Sequence, residues 1–296
     1  MQSKQLQQMM TLLALPDDYA SFVSNYLEPV AATLDARIRG DGISLIGING
    51  SQGSGKSTAA LFLKLLLESE YDHRVAVLSI DDFYHGKGRR KVMSQTMHPL
   101  FATRGVPGTH DIALALETIA KLQKVAVGQT VEVPRFDKAH DDRKPREQWD
   151  RLYGPFSAII LEGWCIGSPA LREDLLDEPI NELERVEDSR GEWRRTYNRF
   201  LAGEYQQLFG AIDWLLMLKA PGFDVVYSWR RLQEQKLAQN TTHVDNRLLD
   251  EQQLGRFIQH YQRLTEHCLQ RIPELADAVI ELDDQHCMTA LRMKRA

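Results

Sequence analysis

Cysteine is scarce. The 296 residues contain only Cys165, Cys268 and Cys287. Their odd number and wide separation give no disulfide framework and no closely spaced zinc ligands, so they read as reduced thiols in a reducing compartment. No apolar run approaches the ~20 residues that cross a bilayer. The opening "MQSKQLQQMMTLLALPDDYA" lacks the basic stretch and long apolar run of a secretory leader. An excess of positive charge is also missing. The net charge is −5, which argues against a general nucleic-acid binder while leaving room for a local basic pocket for a small anion. These absences lead us to expect a cytoplasmic protein without membrane or nucleic-acid partners. Nothing in the sequence sets the oligomeric state; a monomer is the simpler expectation.

What is present is a hydrophobic content of 43%, enough to bury the core of one large α/β domain or two small ones. Residues 1–40 carry apolar side chains at helical spacing: Leu6, Met9, Met10 and Leu13, then Phe22, Tyr26, Val30 and Leu34. They predict two amphipathic helices joined near Pro16, forming an appendage (1–40) to a main domain (41–296). Five short apolar runs then read as strands, at 43–48, 74–80, 156–163, 212–220 and 278–283. Helical stretches separate them, notably 111–124, 190–209 and 246–271. Uniformly apolar strands alternating with helices predict a five-stranded, mainly parallel sheet with helices on both faces. Ligands of such sheets bind at the carboxyl ends of the strands. The polar blocks 83–110 and 134–154 are long for plain connections, and long loops are usually functional or disordered.

The stretch "GINGSQGSGKST" follows the first predicted strand and opens the first helix of the sheet domain. Gly50, Gly53, Gly55, Lys56 and Ser57 have the spacing G-x-x-x-x-G-K-S, the P-loop signature. The glycines let the backbone of Gly50, Ser51, Gln52, Gly53, Ser54 and Gly55 curl its N–H groups toward phosphate oxygens. Lys56 supplies charge to the terminal phosphates, Ser57 offers a hydroxyl to Mg²⁺, and the helix dipole beginning at Ser57 and Thr58 faces the anion. The expected fold is that of the P-loop NTPases, and the expected cofactors are ATP and Mg²⁺.

Acids stand where the later strands end: Asp81 and Asp82 after the second, Glu162 after the third. Phosphoryl transfer asks for a held metal, a positioned nucleophile and cations on developing charge. Asp81 is assigned as base toward an acceptor hydroxyl and Glu162 as metal ligand beside Ser57. Asp82 reads equally as a turn or helix cap.

Together "GINGSQGSGKST", "LSIDDFYHG", "HPLFATRGVPGTHD", "VPRFDKAHDDR", "ILEGW" and "VVYSWRRLQEQ" resemble the D-glycerate 3-kinases of plants and fungi. That family is related to uridine kinase, phosphoribulokinase and bacterial pantothenate kinase. The resemblance spans residues 47 to about 235, and "RGVPGTHD" is its most discriminating part. It implies ATP-dependent phosphorylation of D-glycerate to 3-phosphoglycerate. It also implies catalytic roles for Asp81, Lys56 and Arg230, with Arg230 on a lid helix closing over the phosphates. Arg231 is the alternative, since adjacent helical residues point about 100° apart. Phe136 and His140 sit where uridine kinases carry a Tyr and a His against the base, and the Phe lacks the phenol oxygen.

A small hydroxy acid needs a partner for its carboxylate, and Arg matches a carboxylate bidentately. Arg104 is the first candidate and Arg135 the second. Thr109, His110 and Asp111 are candidates for hydrogen bonds to the hydroxyls. Thr109 or Asp111 reads alternatively as the cap of the helix that follows, and His98, before Pro99, as a turn residue. Other acceptors, nucleoside- or pantothenate-like, and a nucleotide-dependent switch that uses the N-terminal helices as a partner surface, remain alternatives at this stage.

Overall fold

A computed structural model describes residues 2–42, 44–240 and 251–294. Ile43 of the first expected strand and residues 246–250 of the last expected helix lie outside the described residues. Ten strands are present among the described residues: β1 (Leu45–Gly50), β2 (Val75–Ser79), β3 (Thr130–Val133), β4 (Phe136–Asp137), β5 (Asp142–Arg143), β6 (Asp150–Tyr153), β7 (Ala158–Gly163), β8 (Trp214–Lys219), β9 (Ala278–Leu282) and β10 (Met288–Met293). The central sheet runs β10-β9-β8-β1-β7-β2. All its pairs are parallel except β9–β10. The expected five strands are thus joined by a sixth. β10 escaped the sequence reading because it is a partly exposed edge strand at the end of the chain, with only Met288 buried, so it lacks the apolar run that marks a buried strand.

Side chains of the central strands alternate between two cores, as the period of two requires. Leu45, Ile159, Leu161, Leu215 and Met217 face one core, which is covered by the helices Ile112–Lys124, Glu204–Phe209 and Glu251–Leu275. Ile46, Ile48, Ile160, Leu216 and Leu218 face the other. There the helix Lys56–Tyr71 packs directly, and Met10, Val23, Leu27, Val30 and Leu34 of the N-terminal helices join the same cluster.

Two further expectations change. The helix foreseen at 190–209 is broken at Gly203, giving Glu192–Ala202 and Glu204–Phe209; Gly203 has φ −100° and ψ −104°, outside the helical region. The block 134–154 is built rather than loose. β3 pairs antiparallel with β6, and β4 with β5, so these ribbons hold the segment's charged residues at fixed places. The block 83–110 likewise contains the helix Lys87–Thr96 and a 3-10 turn, Pro99–Ala102.

Candidate active site

β1 lies between β7 and β8; the chain leaves it toward β2 on one side, and the later connection from β7 to β8 carries it to the other side. This is the switch point at which ligands bind in open α/β sheets. β1 ends at Gly50, and the chain turns through Gly53 and Gly55, both at φ +82°. An L side chain is strained there. A Cβ on Gly53 would stand 2.7 Å from Trp229 Cβ, so the loop also needs glycine for close approach. The helix Lys56–Tyr71 has no side-chain cap, which leaves its first N–H groups for an anion. Ser51 Oγ, Ser54 Oγ and both amide atoms of Gln52 are buried without a hydrogen-bond partner among the described residues. Unsatisfied buried polar groups are costly, and here they concentrate in the loop that the sequence assigns to phosphates.

Glu162 is 4% exposed at the end of β7, where Ile48 of β1 is its register partner. Its Oε1 accepts from Ser57 Oγ at 2.8 Å, and its Oε2 has no partner among the described residues. A hydroxyl beside a carboxylate with a free oxygen is a hard-donor pair suited to Mg²⁺.

Next to the loop is a cavity of about 50 Å³ lined by Gln52, Lys56, Asp81, Tyr84, Arg104, Lys138, Trp164, Arg230, Phe257 and Tyr261. A larger groove of about 740 Å³ lies elsewhere, between the helix Ile112–Lys124 and the β3–β6 ribbon, and shares none of these residues. Chemistry rather than size therefore selects the site. Among the described residues Asp81 is the one carboxylate lining the small cavity, and its Oδ2 accepts from Lys138 Nζ at 2.7 Å. Burial pushes the Asp81 carboxyl upward, but attraction to Lys138 and Lys56 outweighs this and holds it well below the usual carboxylate range. Asp81 in turn raises Lys138.

The other expected residues divide sharply. Asp82 does not line the cavity; it accepts from Arg135 Nη1 and from the Phe136 backbone N–H. Burial raises its pKa against the opposing pull of Arg135. Arg104 lines the cavity, where it pairs with Asp141 and lies 5.3 Å from the centre of the Phe136 ring. Arg135 does not reach the cavity, because Asp82 and Asp150 hold its guanidinium from two sides.

Thr109, fully buried, closes its own turn: its hydroxyl donates to Val106 O at 2.7 Å and accepts from Gly105 N–H. Asp111 caps the helix that follows through Leu114 N–H and pairs with Arg143. His110 is buried one layer back, stacked on Tyr84 with ring centres 4.1 Å apart and bonded to the Tyr205 hydroxyl at 2.6 Å. These three residues therefore brace the surroundings of the cavity instead of lining it. Arg230 lines the cavity while Arg231 is exposed, as their different directions on one helix require. His140 is exposed and bonded to Asp137. His98 accepts from Leu100 N–H in the turn at Pro99.

Five lining residues carried no site assignment from the sequence: Tyr84, Lys138, Trp164, Phe257 and Tyr261. Tyr84 and Trp164 follow the ends of β2 and β7, close to Asp81 and Glu162, and that position was the available signal. Phe257 and Tyr261 lie four residues apart on the helix Glu251–Leu275. Their spacing reads equally well as core packing.

No family model matches the sequence. The uncharacterized kinase mug58 of Schizosaccharomyces pombe is 31% identical over 226 residues, which cover 73% of this chain and 78% of that protein. The chloroplastic D-glycerate 3-kinase of Arabidopsis thaliana is 30% identical over 193 residues; the match takes in 63% of this chain and 40% of the plant protein. Among solved structures, the D-glycerate 3-kinase from Cryptococcus neoformans superposes with a TM-score of 0.75 at 23% identity, covering 90% of this chain and 98% of that one, a likeness of fold. With the phosphate loop, the parallel sheet and the strand-end acids in place, the chain belongs to the same family of P-loop kinases as mug58, with the plant D-glycerate 3-kinase among the proteins it resembles.

Proposed function

We propose that this kinase transfers the γ-phosphoryl group of ATP to a hydroxyl of D-glycerate, giving 3-phosphoglycerate. The observation that carries the reading is the placement of Asp81. Among the described residues it is the single carboxylate of a small cavity that also holds Lys56, Arg104, Lys138 and Arg230, directly beside the phosphate loop. The acceptor oxygen bonds to the γ-phosphorus while the bond from that phosphorus to the β–γ bridging oxygen breaks. ADP leaves with the electron pair, and the hydroxyl proton passes to Asp81.

A carboxylate held as low as Asp81 is a weak base. In a loose transition state, however, little bond to the attacking oxygen has formed, so holding the hydroxyl in line matters more than early proton removal. Lys56 and Arg230 are assigned to the charge on the phosphoryl oxygens, and Arg104 to the acceptor. Ser57 and Glu162 are the residues suited to hold Mg²⁺, which when bound neutralises phosphate charge. The cavity has room for roughly four water molecules by the usual measure of about 10–15 Å³ each. That suits a compact acid better than a nucleoside. The glycerate assignment draws on the names of the plant and Cryptococcus proteins.

The test is ADP release by the purified protein with Mg-ATP and D-glycerate, nucleosides or pantothenate, with the product identified by phosphorus NMR. D-glycerate should be preferred. Asp81→Asn should retain ATP binding and lose about 10²- to 10⁴-fold in kcat. Turnover of a nucleoside or pantothenate, with none of D-glycerate, would overturn the assignment.

A further inference from the structure

Lys138 stands on the turn between β4 and β5. Its side chain is 64% exposed, against 27% for Asp81, so the ammonium reaches Asp81 from the mouth of the cavity. An ion pair with so exposed an ammonium adds little to stability, and stability is a poor reason for its presence. The neighbouring cations have other engagements. Arg104 is bound to Asp141, Lys56 belongs to the phosphate loop, and Arg230 lies on the helix Phe223–Asn240.

An acceptor hydroxyl seeking Asp81 Oδ2 meets an oxygen already bonded to Lys138. A neutral alcohol can only compete for that oxygen. An acid brings a replacement partner for the ammonium, as a charge-assisted bond to its own carboxylate.

We infer that Lys138 is a specificity-determining residue: the carboxylate of the acceptor draws its ammonium away from Asp81, and the freed Oδ2 receives the acceptor hydroxyl. The exchange keeps the number of ion pairs constant, which an uncharged acceptor cannot do. The phosphoryl transfer itself is the one written above, with the hydroxyl proton going to Asp81. The inference rests on the kinase reading and extends it from D-glycerate to hydroxy acids as a class.

The test compares wild type, Lys138→Met and Lys138→Arg on matched acceptors, D-glycerate against glycerol and pantothenate against pantothenol, with thermal melting to verify folding. Wild type should prefer the acid. Lys138→Met should lower kcat/KM for that acid about 10- to 100-fold, the range of a bond between charged groups. The loss should appear mainly in KM and should narrow the preference for acid over alcohol. Lys138→Arg should restore most of it, and ATP affinity should not change in either variant. Equal losses on acid and alcohol, or no loss on either, overturn the inference, as does a wild type that prefers an uncharged acceptor or accepts none. If wild type turns over a hydroxy acid other than D-glycerate, the glycerate assignment fails alone. The acid-to-alcohol ratio on that acid then decides the role of Lys138.

Discussion

Ser57 Oγ donates to Glu162 Oε1 at 2.8 Å, joining the helix that follows the phosphate loop to the end of the neighbouring strand β7. The second carboxylate oxygen of Glu162 has no partner among the described residues. Glu162→Gln keeps an acceptor for the Ser57 hydroxyl and removes the charge. Metal affinity should weaken by about 10- to 100-fold, the size of effect seen when groups supporting a metal are altered. A Mg²⁺ titration of the initial rate reads this directly. An unchanged Mg²⁺ midpoint would remove Glu162 from the metal site.

Gly53 and Gly55 share φ +82°, yet a Cβ on Gly55 meets nothing within 4 Å while one on Gly53 meets Trp229. Gly55→Ala should therefore carry only the cost of a left-handed L residue, about 1–2 kcal/mol. Gly53→Ala should add an overpacking cost of about 1–3 kcal/mol and displace the helix that bears Arg230. Urea unfolding of the two variants gives the comparison, and ATP affinity should fall further in Gly53→Ala. Equal destabilisation would show that the contact with Trp229 is readily relieved.

Arg104 and Arg135 look equivalent as sequence but occupy different places. Arg104→Ala should raise KM for the acceptor by about 10-fold or more, the cost of losing a hydrogen bond to a charged group, with ATP affinity preserved. Arg135→Ala removes the guanidinium that Asp82 and Asp150 share. Its effect should appear in thermal stability, with little change in the acceptor KM. A reversed pattern in steady-state kinetics and melting would exchange the two roles.

Burial pushes His110 down to about 3, against the opposing pull of Asp81, and pushes His260 to about 4, both from an ordinary value of 6.5. In the unfolded chain both rings take up a proton as pH falls below that value, whereas in the folded protein they stay neutral. The stability tied to neutral His110 is thus complete above pH 6.5 and is lost progressively as pH falls toward 3. Between pH 6 and 4, His110→Gln should flatten the dependence of unfolding free energy on pH by up to about 1.4 kcal/mol per pH unit, one proton's worth. Urea denaturation across a pH series measures the slope. An unchanged slope would mean that the folded protein protonates His110 readily.

The phosphate loop was readable because its demands are local: glycines for the turn, a lysine and a serine at the head of a helix, and an apolar strand before it. The positions of Asp81 and Glu162 could be foreseen for a related reason, since each follows an apolar run that ends at the carboxyl edge of a parallel sheet. Arg104 and Arg135 could not be told apart, because Asp82, Asp141 and Asp150 decide between them from elsewhere in the chain. Lys138 sits in a run of mixed charge that reads as a solvated loop until the β4–β5 turn brings it against Asp81. Thr109, His110 and Asp111 have the chemistry of ligand contacts but are used to brace the loop, the Tyr84 ring and a helix start.

The sequence alone determined the class of chemistry. Phosphate binding through backbone N–H groups needs a short, nearly contiguous motif, and hydrophobic periodicity sets a parallel sheet around it. Tertiary structure decided which side chains line the small cavity beside that loop. The cavity draws its walls from segments between Gln52 and Tyr261, and a polar side chain becomes a ligand contact or a brace according to the partner that folding places beside it.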